Sequence, residues 1–355
     1  LALHKDPNDH DKLRPLGIGS ALRRLSAAVA ITVLGHDAAE FLMPQGQFGI
    51  GIPSGLDFII HSTMADIERQ LDPSAPARAL LLLDITNMFN AVSREACRSV
   101  LERNAKFRPS LPLFDTLCSK NNPCWHRKPD GTFATFDQEE GFAQGCPLSP
   151  LFAALVLAIL LTDINSDLRS RAAGRRADGT YPGDDNLGSL SQTKSYIDDT
   201  NLALAYRDLL WFLNRFAELG APLGIYLNLS KTQILTSLTS TSPTSNPAIS
   251  AEDKIHLRAA LAVLGPKSEL LHGTRFLGQP IGSADFARQH LTEKANDYTT
   301  STTRLINRLV DTQTQCSLFK NCTQSTIPHL LASDVYYNLD TSAPPALPEW
   351  NSPFI

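Results

Sequence analysis

Hydrophobic positions switch between two periods along this chain, and the switches mark its elements. Residues 20–34, SALRRLSAAVAITVL, carry apolar positions at helical spacing and predict a helix. PQGQFGIGIPSGLDFII follows as a Gly- and Pro-punctuated loop entering a second helix that runs to about Arg69. ARALLLLDI, residues 77–85, is a continuous apolar strand closed by Asp84. NAVSREACRSVLER, residues 90–103, predicts a helix with Ser93 as N-cap. GTFATFDQEEGFAQGCPLSP reads as short strands and a Gly/Pro turn before an apolar helix over 151–168, whose run Leu151 to Leu161 is too short for a bilayer and predicts a buried helix. Residues 170–193 form a polar, Gly-rich excursion. KSYIDDTNLAL then reads as a strand pairing with its own continuation across two aspartates. A helix over 207–219, a Ser/Thr/Pro loop over 236–249, and a helix opened by the capping box Ser250 and Asp253 come next. Residues 284–337 are helical by pattern, and the Pro-rich end predicts a frayed tail.

Asp198 and Asp199 are the anomaly in this pattern. Neighbouring carboxylates repel, and burying one without a partner costs several kcal/mol or forces it to take a proton. A second pair, Asp184 and Asp185, is framed by Pro182, Gly183 and Gly188 and reads as an exposed turn. Asp84 also closes a buried strand. Three aspartates at strand ends or turns suggest convergence on one point, where oxygen ligands suit Mg²⁺ or Mn²⁺. Two such ions roughly 3.5–4 Å apart would stabilise both oxygens of an in-line phosphoryl transfer.

Composition adjusts this picture in two ways. The chain has 355 residues, 43% hydrophobic, enough for a large core or two to three domains. Its net charge of −4 runs against the usual basic character of nucleic-acid binders, whereas Lys5, Lys12, Arg14, Arg23 and Arg24 cluster near the start and Arg169, Arg171, Arg175 and Arg176 follow the apolar helix. The six cysteines show no CxxC pair and no zinc-ligand spacing, which predicts reduced thiols in an intracellular protein.

Taken together, LLLDITNMFNAV, GFAQGCPLSPLFAAL, YIDDT, LNLSKTQIL and RFLGQPIG occur in the order of polymerase motifs A to E of reverse transcriptases, in the style of non-LTR retrotransposons and group II introns. KLRPLGIGSALRRL and GQFGIG resemble the fingers motifs that precede motif A, so the resemblance spans roughly residues 3–283. It implies an α+β right-hand polymerase: fingers over 1–76, a palm of antiparallel sheet and helices with inserted fingers segments over 77–283, a helical thumb over 284–340 and a flexible tail over 341–355. By the same resemblance, Asp84 and Asp198 would bind two Mg²⁺ ions (Mn²⁺ as substitute), Asp199 would complete the site, and the Ile85 carbonyl would add a ligand. Arg14 and Lys12 would hold the triphosphate, Gln144 and Gly145 would line the nucleotide pocket, and Lys231 would protonate the leaving pyrophosphate. Phe89 would lie against the sugar and clash with a 2′-hydroxyl. Phe276, Leu277 and Gly278 would grip the primer; simple core packing is the competing reading for Phe276 and Leu277, and for Phe89.

Asn87 and Asn90 stand where family members often carry a basic residue and a second Asp, and Cys146 replaces the commoner Ser or Gly. The implied activity is RNA-directed DNA synthesis, a nucleotidyl transfer from dNTP to a primer 3′-hydroxyl on an RNA template. The implied partners are that RNA, a DNA primer and dNTPs, with no membrane, and the implied location is the nucleus of a eukaryotic host. With no endonuclease, zinc-knuckle or RNase H segment evident, the chain reads as a fragment or a trimmed element. Two alternatives compete: an RNA-dependent RNA polymerase, opposed by Phe89 and Tyr196, and a degenerate remnant that binds nucleic acid without catalysis, opposed by the intact Asp84, Asp198, Asp199, Arg14 and Gln144.

Overall fold

The computed structural model describes residues 2–6, 9–15, 17, 19–71, 78–118, 123–128, 130–177, 193–236, 250–308 and 311–318. In chain order its elements are β1 (Ala2–Asp6), β2 (Asp9–Pro15), α1 (Ala21–Leu42), α2 (Gly55–Leu71), β3 (Arg78–Leu83), α3 (Met88–Ala91), α4 (Arg94–Arg103) and α5 (Leu111–Leu117). They continue with β4 (Pro123–Arg127), β5 (Phe133–Asp137), α6 (Ser149–Ala177), β6 (Lys194–Tyr196), β7 (Asp199–Ala205), α7 (Leu209–Gly220) and β8 (Gln233–Leu235). α8 (Ala251–Leu264), β9 (Glu269–Leu270), β10 (Gly273–Phe276), β11 (Gln279–Gly282), α9 (Ala284–Arg308) and α10 (Thr312–Leu318) complete them. Asp184 and Asp185, most of the 236–249 loop, and the tail expected beyond the thumb lie outside the described residues.

The fold is α+β, organised on a mixed five-stranded sheet of order β6-β7-β3-β8-β9. The pairings β6–β7, β7–β3 and β3–β8 are antiparallel, and β8–β9 is parallel. The leucine run of β3 is explained by burial on both faces. Alternate side chains of a strand point to opposite faces, and here Ala79, Leu81 and Leu83 enter the main core while Leu80 and Leu82 enter a second one. α6 backs the main core and is buried on nearly every side from Leu151 to Leu161, as a helix apolar all round should be. The second core is built by Ile59, Met64 and Ile67 of α2 with Phe276 and Ile281 of the β10–β11 hairpin. Since α2 packs on β3, β6, β7 and β11, the expected fingers–palm boundary at residue 76 cuts through one packed unit.

Several elements depart from their predicted limits. α1 continues to Leu42 rather than ending at 34, packed along α6. The 90–103 helix is two: α3 stops at Ala91, and α4 starts afresh where Ser93 Oγ accepts the Ala96 N–H at 3.2 Å. α6 runs on to Ala177, through what read as a polar excursion. Its lone Gly174 costs about 1 kcal/mol against Ala, too little to end a helix anchored by tertiary contacts. Arg171 supplies these, pairing with the buried Asp208 at 3.1 Å and stacking over the Trp211 ring at 4.5 Å. The Ser250 cap holds as predicted, with the Asp253 N–H donating to Ser250 Oγ at 3.0 Å. α1 and α6 are each long and apolar enough to cross a membrane by length and composition, and 72% of the α6 window is buried inside the protein against 22% for α1. Cys97, Cys118, Cys124, Cys146 and Cys316 carry free thiols.

Phe152 centres the packing of α6, with ring centroids 5.1 Å from Phe114 and 5.3 Å from Phe142. Phe152→Ala is expected to cost about 3–5 kcal/mol, read as a lowered midpoint in urea unfolding.

Candidate active site

Everything chemical gathers at one end of β3. Asp84 follows the last β3 residue, at the point where the leucines stop and the chain leaves the core. Its main chain is clasped by the turn before β8: the Asn228 N–H donates to the Asp84 carbonyl at 2.8 Å, and the Thr86 N–H to the Tyr226 carbonyl at 2.8 Å. Ile85 and Leu227 form an antiparallel bridge between these two hydrogen bonds. Lys231, in the same turn, places Nζ 3.9 Å from Asp84 Oδ2, with both side chains substantially exposed.

The β6–β7 hairpin presents the other two aspartates. Its register pairs Tyr196 with Asp199, leaving Ile197 and Asp198 as a two-residue turn. Because β7 pairs with β3, with Leu83 opposite Thr200, this turn lies beside Asp84. Ile197 sits at φ +60°, a left-handed conformation that a β-branched residue rarely adopts and that two-residue hairpins usually assign to Gly, Asn or Asp. Below the turn, the hydroxyls of Ser195 and Thr200 share a buried 2.7 Å hydrogen bond. Lys194 pairs with Asp66 of α2, and Asn165 of α6 donates to Thr193 Oγ1 at 2.9 Å. The hairpin is thus fixed on both faces of the sheet.

Asp199 keeps a solvent-exposed edge. Even so, loss of water around its carboxyl, followed by the negative charges of Asp198 and Asp84, pushes its pKa up to about 6. The charges of Asp198 and Asp84 are thus felt at Asp199, at the end of the sheet where the hairpin turn lies beside Asp84. Among the described residues, no three His, Cys, Asp or Glu side chains close into a metal-ligand group. What the site offers a cation is therefore concentrated negative charge on hard oxygen donors, a donor set that fits Mg²⁺ or Mn²⁺.

The remaining predicted residues divide. Phe89 is half-buried in α3 and packs against the main core, so it is neither a free surface ring nor a sealed core side chain. Its carbonyl accepts the Phe142 N–H, and Gly141 (φ +67°) approaches so closely that a Cβ there would stand 2.4 Å from that same oxygen. Gln144 and Gly145 form the loop before α6, and the Gln144 carbonyl accepts the Gly17 N–H at 2.8 Å. This bond ties the loop to the segment leaving β2. Lys12 and Arg14 lie on β2, and their side chains are outside the described residues. Phe276 is buried in the second core, so the tip of the β10–β11 hairpin is Leu277 and Gly278, both left-handed at φ 51° and 82°.

Sequence reasoning missed the residues that hold this arrangement: Asn228 and Thr232 against Asp84, and Gln47 with Gly49 against Ile197. A second glutamine in the Gly-rich stretch Gln45-Gly46-Gln47-Phe48-Gly49 was the one available signal for Gln47.

With this geometry, the comparisons are direct. The family description "Reverse transcriptase (RNA-dependent DNA polymerase)" matches residues 4–281. The chain belongs to the reverse transcriptase family. It is 27% identical over 236 residues to the "Retrotransposable element SLACS 132 kDa protein" of Trypanosoma brucei gambiense, spanning 66% of this chain and 17% of that relative. Among solved structures, apo telomerase from Candida tropicalis truncated from its C-terminal domain aligns at TM-score 0.42 and 12% identity, over 74% of this chain and 43% of that one. Telomerase from Candida albicans in complex with a telomeric RNA fragment aligns at TM-score 0.41 and 11% identity, over 89% and 44%.

The raised Asp199 pKa has a testable sign. A carboxyl harder to ionise folded than unfolded adds stability below its unfolded pKa of about 4, and that contribution is lost as pH rises through about 6. In chelator, Asp199→Asn should therefore gain in melting temperature over the wild type on going from about pH 4 to about pH 7.5, and the gap should narrow on adding Mg²⁺.

Proposed function

We propose that this reverse transcriptase domain is a catalytically competent RNA-directed DNA polymerase of a retroelement, adding dNTPs to a primer 3′-hydroxyl on an RNA template. The observation that carries the reading is the electrostatic coupling of Asp84, Asp198 and Asp199 at the open end of the buried strand. Structural aspartates are normally spread apart or paired with cations, since like charges in contact oppose folding. Here three are gathered, in a chain whose family makes DNA from RNA.

In this reading Asp84, Asp198, Asp199 and the carbonyl of Ile85 would hold two Mg²⁺ ions, with Mn²⁺ able to substitute. Bound, the ions would neutralise the carboxylates and act as Lewis acids at the reacting phosphate. The protein's own groups do the rest. Arg14 and Lys12 would hold the triphosphate through charge-assisted hydrogen bonds. Lys231, already drawn toward Asp84, is an exposed ammonium able to give a proton to the departing pyrophosphate. Gln144 and Gly145 would border the nucleotide, and the half-buried ring of Phe89 would exclude a 2′-hydroxyl by contact. Leu277 and Gly278 would bear on the primer strand, with Phe276 seating their hairpin on the core. Residues 284–340, described in part as α9 and α10, would serve as thumb.

Primer extension on an RNA template with dNTPs and Mg²⁺ tests the reading. Asp198→Asn should abolish product while leaving the melting temperature unchanged or higher, because it removes a ligand and a repulsion together. A wild-type protein that binds primer–template but never extends it would leave the nucleic-acid-binding remnant standing.

Phe89→Val separates the DNA and RNA polymerase readings. With the ring as a sugar gate, the dNTP/rNTP ratio of catalytic efficiency should collapse, mainly through better rNTP use. A purely structural ring would instead give an unchanged ratio in a protein destabilised by a few kcal/mol, about the size of a core cavity.

A further inference from the structure

We propose that Gln47 is a positioning residue for the aspartate turn: its side-chain amide holds Ile197 in the left-handed conformation that aims Asp198 and Asp199. This rests on the reading of those aspartates as the polymerase site.

The segment Gly46–Gly49 is bound to the active-site hairpin from outside. The Ser195 N–H donates to the Gly46 carbonyl at 2.7 Å, and the Phe48 N–H to the Ser195 carbonyl at 2.8 Å. These make a parallel bridge between Gln47 and Ser195 at the open edge of β6. From this footing, Gln47 Nε2 donates to the carbonyl of Ile197 at 2.9 Å, across 150 residues of chain. Gly49 completes the grip by having no side chain. A Cβ there would stand 2.8 Å from Ile197 Cγ1 and 2.9 Å from its nitrogen, distances that real Cβ atoms essentially never show. The turn is thus pinned at its carbonyl and enclosed at its side chain.

The energetics of Gln47 argue that this hold is its purpose. The residue is fully buried, and its Oε1 has no hydrogen-bond partner among the described residues. An unpaired buried amide oxygen costs about 1–3 kcal/mol, so an unbranched apolar side chain would serve packing better. What Gln47 gains for that cost is one hydrogen bond, made to the residue in the least favourable backbone conformation at the site. Strained backbone of this kind persists only where its surroundings over-determine it.

The test uses Gln47→Met, which keeps length and volume and removes the amide, alone and combined with Ile197→Gly. In primer extension, Gln47→Met should lower kcat on the order of 10- to 100-fold, the scale of a sub-ångström to ångström misplacement of catalytic groups. KM for dNTP should stay within about twofold and the melting temperature should not fall. Adding Ile197→Gly, which reaches positive φ without strain, should return kcat close to that of Ile197→Gly alone. Unchanged kcat in Gln47→Met, a matching loss of melting temperature, or no rescue by glycine would each overturn the proposal. Hydrogen exchange provides an arm independent of activity. Amides of residues 194–204 should exchange faster in Gln47→Met and regain protection in the double variant. If the wild type extends no primer, the polymerase reading fails while exchange still decides the clamp. Unaltered exchange in Gln47→Met would overturn the clamp whatever the activity.

Discussion

β3 is buried on both faces, and this constraint decides where chemistry can occur. Its residues from Ala79 to Leu83 serve two cores at once, and no charged group stands among them. The first position at which a carboxylate escapes that condition is the strand's end, where Asp84 stands. β7 lies antiparallel beside β3, which brings its starting residue Asp199 and the preceding turn to that same end. Two strands of opposite direction thereby deliver three acids to the same end of the sheet without a charge inside the strands. The same burial fixes register: a slip of one residue would exchange the sets of side chains entering the two cores.

Legibility in the sequence follows the range of the interactions. The leucine run, the Asp198 hairpin, the Ser93 and Ser250 caps and the buried character of α6 each depend on neighbours a few residues away, and all were readable. Element limits failed where a distant partner decided them. α6 outlasts its apolar run because Arg171 finds Asp208 and Trp211 on a later helix. α3 and α4 part where the Ser93 N–H finds the carbonyl of Leu223. Local patterning placed the aspartates; nothing local identified what holds them. Gln47 is separated from Ile197 by 150 residues, and Asn228 stands almost as far from Asp84 in the chain.

Phe276 shows why motif order and residue role come apart. Its position in the fifth motif implies contact with a primer, and its ring lies in the second core. Both residues of the turn are left-handed; Gly278 is exposed, and Leu277 is half-buried against the same core. The motif therefore places the hairpin, and the pleat of the strand assigns its side chains. Phe89 is intermediate: α3 is too short to bury a full face, so the ring meets the core on one side only.

Repulsion and backbone strain are found together at this site. Asp84 and Asp198 oppose the charge of Asp199, Ile197 holds a conformation its side chain disfavours, and Gln47 buries an oxygen with no partner among the described residues. Each of these lowers stability, and a core of this size has enough apolar burial to sustain them. Their location is informative because strain without function has no reason to concentrate. A protein relieved of catalysis would be free to lose it by single substitutions, Ile197 to glycine or Gln47 to an apolar residue among them. Ile197 and Gln47 are joined by one hydrogen bond at the turn that carries Asp198, so the strain and the charge fall on the same few residues.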